Sequence, residues 1–457
     1  MGSIVRLFRT MQGVADFEEC FCIGTTGSGM APKRILGLAE FLQELPGQRV
    51  HPESMFNPDE RVGMVGPRPA FETPFSSSAV RALRDCGYAE VFRVERFRRY
   101  RVPLDQNIDS FLVPRFDRMT ECVYPDYITA YESGAAPEPV QTVSVLERGT
   151  SAIESVNTRL GLGMHSGDLG YVHELFRSTL KRNPTDVELF QIAQLASDHS
   201  RHRRWGAKVI IDGAEMPSTL IGLVREPYRL NPGNSRIGFS DNASAIVIGE
   251  ITWFVPARPG QPSRYVTVRV HADGTCTVET HNHPTTFCPY PGAATGIGGC
   301  YRDGFAVGRG GLILFSSAGF STQDLCIPGY ILPWENPEAA LIAGAAQALQ
   351  IMREAPQGTW DYGNRSGIPV LYGFTRTVQL ELNGQRWGYG KTLMLAGNVG
   401  QMHDAHVKKQ PAERGMKIVQ IGGPAYRIGF GGGTASSQGG GELSRDVAYD
   451  SVQRGDA

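Results

Sequence analysis

The sequence predicts a mixed α/β or α+β fold, and three observations predict it. Strand-like and helix-like stretches alternate from residue 205 onward. A content of 41% hydrophobic and 20% charged residues is that of an ordinary globular chain. A length of 457 residues gives room for two to four domains with cores of their own.

Taken in order, residues 1–145 form an N-terminal domain in which β-like runs (Val91–Val94, Tyr100–Pro103) mix with a helical stretch, Ser77–Cys86. No catalytic constellation is visible there. The segment GAAPEPVQ, Gly134 to Gln141, reads as a linker. Residues 146–204 are predicted to hold two helices. The first runs from about Asp168 to Leu180. The second opens at Thr185, whose side chain can cap the backbone while Glu188 reciprocates in a capping box. Continued through Trp205, it places His199 and His202 on one face.

Residues 205–412 turn to strands: Ser244–Glu250, then Arg264–His271 and Thr275–Thr280, the last two joined by a hairpin that turns at Asp273-Gly274. Further strand-like runs are Gly311–Ser317, Lys391–Asn398 and Lys417–Gly423. Residues 413–457 contain a glycine-rich loop, GFGGGTASSQGGG, and stop soon after it, which predicts the opening of a further domain in a longer chain.

Composition excludes several classes. Lys plus Arg, 45, nearly cancels Asp plus Glu, 46, so no overall field favours nucleic acid or an anionic membrane. Eight cysteines with no CxxC pair fit neither a disulfide scaffold nor a zinc ribbon. No run of about 18 apolar residues occurs, and the expected location is the cytoplasm.

The chemistry concentrates in VETHNHPTTFCPYPGAATGIGGCYRD, Val278 to Asp303. If Thr277 to His283 stays extended, Glu279, His281 and His283 project to one side, one carboxylate and two imidazoles on a shared surface. The small residues of Pro291 to Gly299 would let backbone N–H groups approach phosphate oxygens. Arg302 can then neutralise a phosphate and Asp303 can hold magnesium. A tight glycine turn with a surface ion pair accounts for the same spacing equally well. His199 and His202 read more simply as packing or surface residues than as a zinc pair, because the metalloprotease spacing is four. Gly390-Lys391-Thr392 imitates the end of a phosphate loop, but Gln385 stands where the earlier glycine is required and a strand-like run follows.

Several motifs occur together in one order: Ser197-Asp198-His199-Ser200-Arg201-His202, VETHNHP, PGAATGIGGCYRDGFAVGRGG, GNVGQMHDAHVKK and GGPAYRIGFGGGTASS. Together they resemble the large, single-chain phosphoribosylformylglycinamidine synthase family of purine synthesis. The resemblance implies a small N-terminal domain, a helical linker, an aminoimidazole-ribonucleotide-synthetase-like A domain with a mixed sheet, and the start of its B domain. It implies ATP-dependent phosphorylation of the amide oxygen of formylglycinamide ribonucleotide, followed by attack of glutamine-derived ammonia to give the amidine. ATP and Mg2+ are the implied cofactors. His199 matches the catalytic helix histidine and His281 the proton acceptor. Glu279 and Asp303 match magnesium ligands, and Thr280, Asn282, His283 and Arg302 substrate contacts. Gly292, Ala293, Ala294, Thr295, Gly296, Ile297, Gly298, Gly299, Cys300, Tyr301, Arg302 and Asp303 match the ATP loop, with Gly373 and Phe374 as further nucleotide contacts. Thr277 stands where the family often has a lysine. The family's second synthetase half and Cys-His-Glu glutaminase are the expected partners in the same chain, and these 457 residues alone are expected to be inactive with glutamine. Two other readings stay open: a structural or regulatory nucleotide-binding half, and a metallohydrolase using Glu279, His281 and His283.

Overall fold

The computed structural model describes all residues except 1, 12, 28, 46, 132–135, 137, 340, 421–425, 427, 439–443 and 455–457. The predicted linker and the glycine-rich C-terminal motifs therefore lie partly outside the described residues. The chain divides into two compact units, Met1–Glu138 and Pro139–Ala457.

The first unit is built from β1 (Ser3–Met11), β2 (Phe17–Thr25), α1 (Pro32–Phe41), β3 (Gln48–His51), β4 (Val62–Pro67), α2 (Pro74–Asp85), β5 (Val91–Arg101), α3 (Ile108–Leu112) and β6 (Glu121–Tyr124). Its strands form one sheet in the order β3-β1-β2-β5-β4-β6, antiparallel throughout. Thr73 caps α2 by accepting the Ser76 N–H, and Pro74 follows at the first helical position, where a missing N–H costs nothing. Leu38, Leu42, Val80 and Leu83 from α1 and α2 close over Leu7, Phe21, Ile23 and Val94 of the sheet. A second cluster gathers Phe8, Cys20, Cys22, Met64 and Phe97.

The second unit begins with α4 (Val145–Arg148), α5 (Thr150–Leu160), α6 (Ser166–Glu174) continued by a wider π-type turn (Leu175–Leu180), α7 (Asp186–Ala196) and α8 (His202–Trp205). The capping box at Thr185 and Glu188 is formed. The helix it opens, however, ends at Ala196. Ser197 is extended and Arg201 adopts the left-handed conformation at φ 59°, so His199 sits in a turn and does not share a helix face with His202.

There follow the short β7 (Ile210–Ile211) and β8 (Ala214–Glu215), α9 (Leu220–Leu230), β9 (Ser235–Ile237), β10 (Ser244–Pro256), β11 (Tyr265–Thr280), α10 (Asn282–Phe287), α11 (Pro289–Ala306), β12 (Leu312–Thr322), α12 (Ala348–Arg365), β13 (Val370–Thr377), the hairpin β14 (Gln379–Leu382) and β15 (Gln385–Gly388), β16 (Leu393–His403), α13 (Gly432–Ser437) and α14 (Arg445–Asp450). The main sheet runs β13-β12-β16-β11-β10-β9, with β12 and β13 parallel and the other pairs antiparallel. The fold is thus a mixed α/β one. Its core packs Ala293, Ile297, Cys300 and Tyr301 of α11 and Ile351 and Ala355 of α12 against Ala318, Phe320, Met394 and Ala396 of the sheet.

Four expectations are corrected here. Asp273-Gly274 makes no turn: β11 passes straight through, pairing Asp273 with Val247 on one side and Met402 on the other. Partners on both sides outweigh the local turn preference of Asp-Gly. The real hairpin joins β10 to β11 through residues 257–264. Pro291 to Gly299 is not a loop but part of the 18-residue helix α11. Its glycines answer to packing: a Cβ on Gly292 would lie 2.5 Å from the Pro284 backbone, and one on Gly298 2.6 Å from the Tyr362 ring. Lys417–Gln420 forms no strand, with Ile418 fully exposed, and residues 421–423 of that prediction lie outside the described residues. The period-two surface also fails, because β11 ends at Thr280 and His283 is inside α10. Lys391-Thr392 does lead into a strand, β16, rather than a helix.

Candidate functional site

The site grows from the junction of β11, α10 and α11. His281 is the hinge residue: its N–H donates to the Met394 carbonyl (3.0 Å), and its own carbonyl accepts from the Thr285 hydroxyl (2.7 Å). Its ring nitrogen Nδ1 lies 2.6 Å from the Gly292 carbonyl oxygen. A carbonyl only accepts, so Nδ1 carries the proton and Nε2 the lone pair in the neutral ring. Burial, opposed by this bond, lowers the His281 pKa and favours that neutral form.

Along α11, positions 292, 296, 300 and 303 follow at spacings of four, four and three, one stripe of the helix. Gly292 and Gly296 meet His281. Cys300 donates to the Ala396 carbonyl at 3.2 Å, and Ala396 is the register partner of Glu279. Burial first, then the nearby Glu279 and Asp303 carboxylates, push the Cys300 thiol up to about 12. Glu279 thus belongs to the strand position facing Cys300, and Asp303 stands one turn further along the stripe. Arg302, exposed, pairs with Asp303 at 2.7 Å, and the Asn242 amide also reaches Asp303, at 3.4 Å. Glu279 is exposed and accepts the Thr280 N–H (2.9 Å).

Other predicted residues fall differently. Asn282 is committed to structure, its side-chain carbonyl accepting the Met394 N–H (3.0 Å). His283 is 5% exposed, tilted against Phe287 at 4.7 Å between ring centroids, with neither ring nitrogen hydrogen-bonded. Burial, Lys391 and His281 drive its pKa down to about 3. Glu279, His281 and His283 do not form a shared surface. Among the described residues, no group of three or more His, Cys, Asp or Glu side chains could hold a metal, so the metallohydrolase arrangement is not present.

Gly292, Ala293, Ala294, Gly296, Ile297, Cys300 and Tyr301 are buried. The N-terminus of α11 is no anion cradle either: Pro289 and Pro291 lack N–H groups, and the Gly292 N–H is given to Cys288 (2.8 Å). Thr295, Gly298 and Gly299 are half-buried. Gly373 lies in the same cross-sheet row as Glu279, through Ala318 and Ala396, three strands and roughly 14 Å away. Phe374 is its neighbour on the edge strand, its ring against Gly319.

The exposed turn of His199 holds its Nδ1 at 2.9 Å from the Ser197 hydroxyl. It is tied to the rest of the unit through α13: Gln194 donates to the Thr434 hydroxyl (3.0 Å) and Arg201 to the Ser437 carbonyl (2.8 Å). A cavity of about 460 Å3 opens beside this turn, lined by His165, Asp168, Arg201, Arg203, Thr434 and Ser437 among others. Asn242 was missed by sequence reasoning: it lies 61 positions from Asp303, and nothing in the sequence joins the two.

Carboxylates and an arginine towards one end of α11, with a neutral imidazole held towards the other, can bind a phosphate-bearing ligand and accept a proton. Residues 30–132 match the formylglycinamide ribonucleotide amidotransferase N-terminal family and residues 153–203 its linker-domain family. Over those stretches the chain is similar to the N-terminal and linker domains of that family. Its relatives include the phosphoribosylformylglycinamidine synthase of Dictyostelium discoideum, 43% identical over 86% of this chain, and that of Homo sapiens, 40% identical over 86%. The chain spans 29% and 30% of the length of those two relatives. The solved structure of T. maritima PurL complexed with FGAR aligns with 62% of this chain and 34% of its own, at 21% identity and a TM-score of 0.35. Among the described residues, no helix is long and apolar enough to cross a membrane.

Proposed function

We propose that this chain supplies part of the site at which formylglycinamide ribonucleotide is converted, with ATP and glutamine-derived ammonia, to its amidine. The carrying observation is that Asp303, paired with Arg302, and Cys300, bonded to the carbonyl of the Ala396 that pairs with Glu279, lie on the same α11 stripe that fixes His281. The substrate's amide oxygen attacks the γ-phosphorus of ATP and ADP leaves. Ammonia then adds to the activated carbon, phosphate departs, and His281 Nε2 takes the proton released. Arg302 neutralises phosphate charge during both steps. His199, exposed in its turn, faces solvent-borne reactants and stabilises developing charge.

Magnesium fits the donor set: two carboxylates completed by phosphate and water oxygens suit this hard ion better than a closed protein cage. Glu279 and Asp303 would hold it, and it would supply charge neutralisation for the ATP phosphates. Gly373, in line with Glu279 across the sheet, and its neighbour Phe374 are placed in this reading beside the nucleotide. The second synthetase half and the glutaminase of longer relatives are its partners.

The test uses a longer synthase carrying this sequence. His199→Ala and Glu279→Gln should each abolish amidine formation while glutamine hydrolysis persists. Unchanged synthesis in both variants, or nucleotide that stays bound here through many turnovers without exchange, would overturn the assignment.

A further inference from the structure

We infer that Gly292 and Gly296 form a cradle that holds the His281 imidazole as its Nδ1–H tautomer, making them positioning residues and not nucleotide contacts. The inference rests on the reading of His281 as the proton acceptor. A base must present a bare nitrogen, and histidine has two candidates. Here the Gly292 carbonyl, 2.6 Å from Nδ1, selects which one is bare. That carbonyl is itself fixed, because Gly292 lies so close to Pro284 that a Cβ would come within 2.6 Å of the Pro284 carbonyl oxygen and the Thr285 nitrogen. One turn further on, a Cβ at Gly296 would stand 2.7 Å from the His281 Cβ and 3.1 Å from its Cγ. Both glycines are buried, so neither offers surface to a ligand. Gly299, three residues beyond, meets nothing within 4 Å and shows that the helix does not require glycine as such.

The two cradle glycines work differently. Gly292 supplies the acceptor; Gly296 supplies room for the ring. Adding a methyl at 296 therefore displaces the ring from the Gly292 carbonyl without touching any reacting atom. A misplacement near 1 Å is enough to cost roughly 100-fold in rate.

The decisive measurement is the tautomer itself, read by long-range 1H–15N NMR of the labelled chain, with the His281 signal assigned by its loss in His281→Gln. The expected spectrum shows a protonated Nδ1 and a bare Nε2. Gly296→Ala should shift this signal toward mixed tautomers, while Gly299→Ala leaves it in place. In a longer synthase, Gly296→Ala should lower kcat roughly 100-fold with little change in the KM for ATP. A protonated Nε2 in the unsubstituted chain, or an unmoved signal in folded Gly296→Ala, overturns the cradle. If Gly296→Ala does not fold, the unsubstituted spectrum alone decides. Should the tautomer be as expected while His281→Gln retains synthesis, the cradle stands and the reading of His281 as the base fails.

Discussion

The two six-stranded sheets differ in how they bury carboxylates and other polar groups. In the first unit the buried carboxylates are paired. Glu95, fully buried, takes hydrogen bonds from the Thr73 N–H (3.0 Å), the Thr73 hydroxyl (2.6 Å) and Arg93 (3.0 Å), and Arg93 also donates to the Pro69 carbonyl (2.7 Å). Glu18 accepts from Ser54, Met55 and Arg99, and Arg9 bridges Glu19 and Glu44. In the second unit, both Asp273 carboxylate oxygens, the Thr275 hydroxyl, both His283 nitrogens and the Asn398 carbonyl oxygen are buried without a hydrogen-bond partner. These groups sit on β11, α10 and β16, the elements that carry the candidate site. Among the described residues around the first sheet, the buried side-chain atoms without a hydrogen-bond partner are single nitrogens of Arg6, Arg9 and Arg101, whose guanidinium groups bond elsewhere. In the second unit whole carboxylate and imidazole groups lack such partners, the pattern expected where a structure gives up stability for chemistry.

The sharpest way to break this contrast is to strand one of the paired charges. Arg93→Ala leaves Glu95 buried without its cation and should destabilise the first unit by roughly 3–5 kcal/mol, measured by denaturant unfolding. A change below about 1 kcal/mol would mean that Thr73 alone suffices for Glu95 and that the pairing is incidental.

The next effect is smaller and belongs to the second unit. His283 has a folded pKa near 3 against about 6.5 in the unfolded chain. The unfolded state thus binds the extra proton first, so this contribution is complete above pH 6.5 and is lost as pH falls toward 3. Between pH 7.5 and 5 the loss should be about 2 kcal/mol. His281 shifts in the same direction and adds to it. The pH dependence of unfolding should flatten in His283→Phe; an unchanged profile would place the titration elsewhere.

The smallest effect has the opposite sign. Gly299→Ala introduces a Cβ into open space on α11 and should stabilise the helix by roughly 0.5–1 kcal/mol. Thermal melting checks it, and a loss of stability would show that the glycine stripe is needed throughout and not only at its packed positions.

How far the sequence discloses this fold depends on the distance between interacting partners. The capping box at Thr185 and Glu188 is legible because both partners lie within one helical turn. The class of the fold is legible from alternating patterns. The hairpin expected at Asp273-Gly274 does not form because two neighbouring strands, 25 or more positions away in sequence, hold that backbone straight. Glycine abundance in 291–299 suggests a loop, yet the glycines are there to let α11 approach α10 and α12, contacts that no local pattern encodes. The residue types of the site are legible, since Glu279, His281, Arg302 and Asp303 stand together in sequence. Their geometry is not: the Asn242 contact with Asp303 and the Gly292 contact with His281 exist only after folding.

The unbroken course of β11 also limits how this protein can change in length over evolutionary time. Its residues alternate between two faces over sixteen positions, with Glu279 on the helix-covered side at the far end. One inserted or deleted residue between Tyr265 and Thr280 would reverse the facing of everything downstream and turn that carboxylate away from Asp303. Tolerated insertions should therefore collect in the connecting segment 257–264, upstream of the strand, where an added residue leaves the count intact.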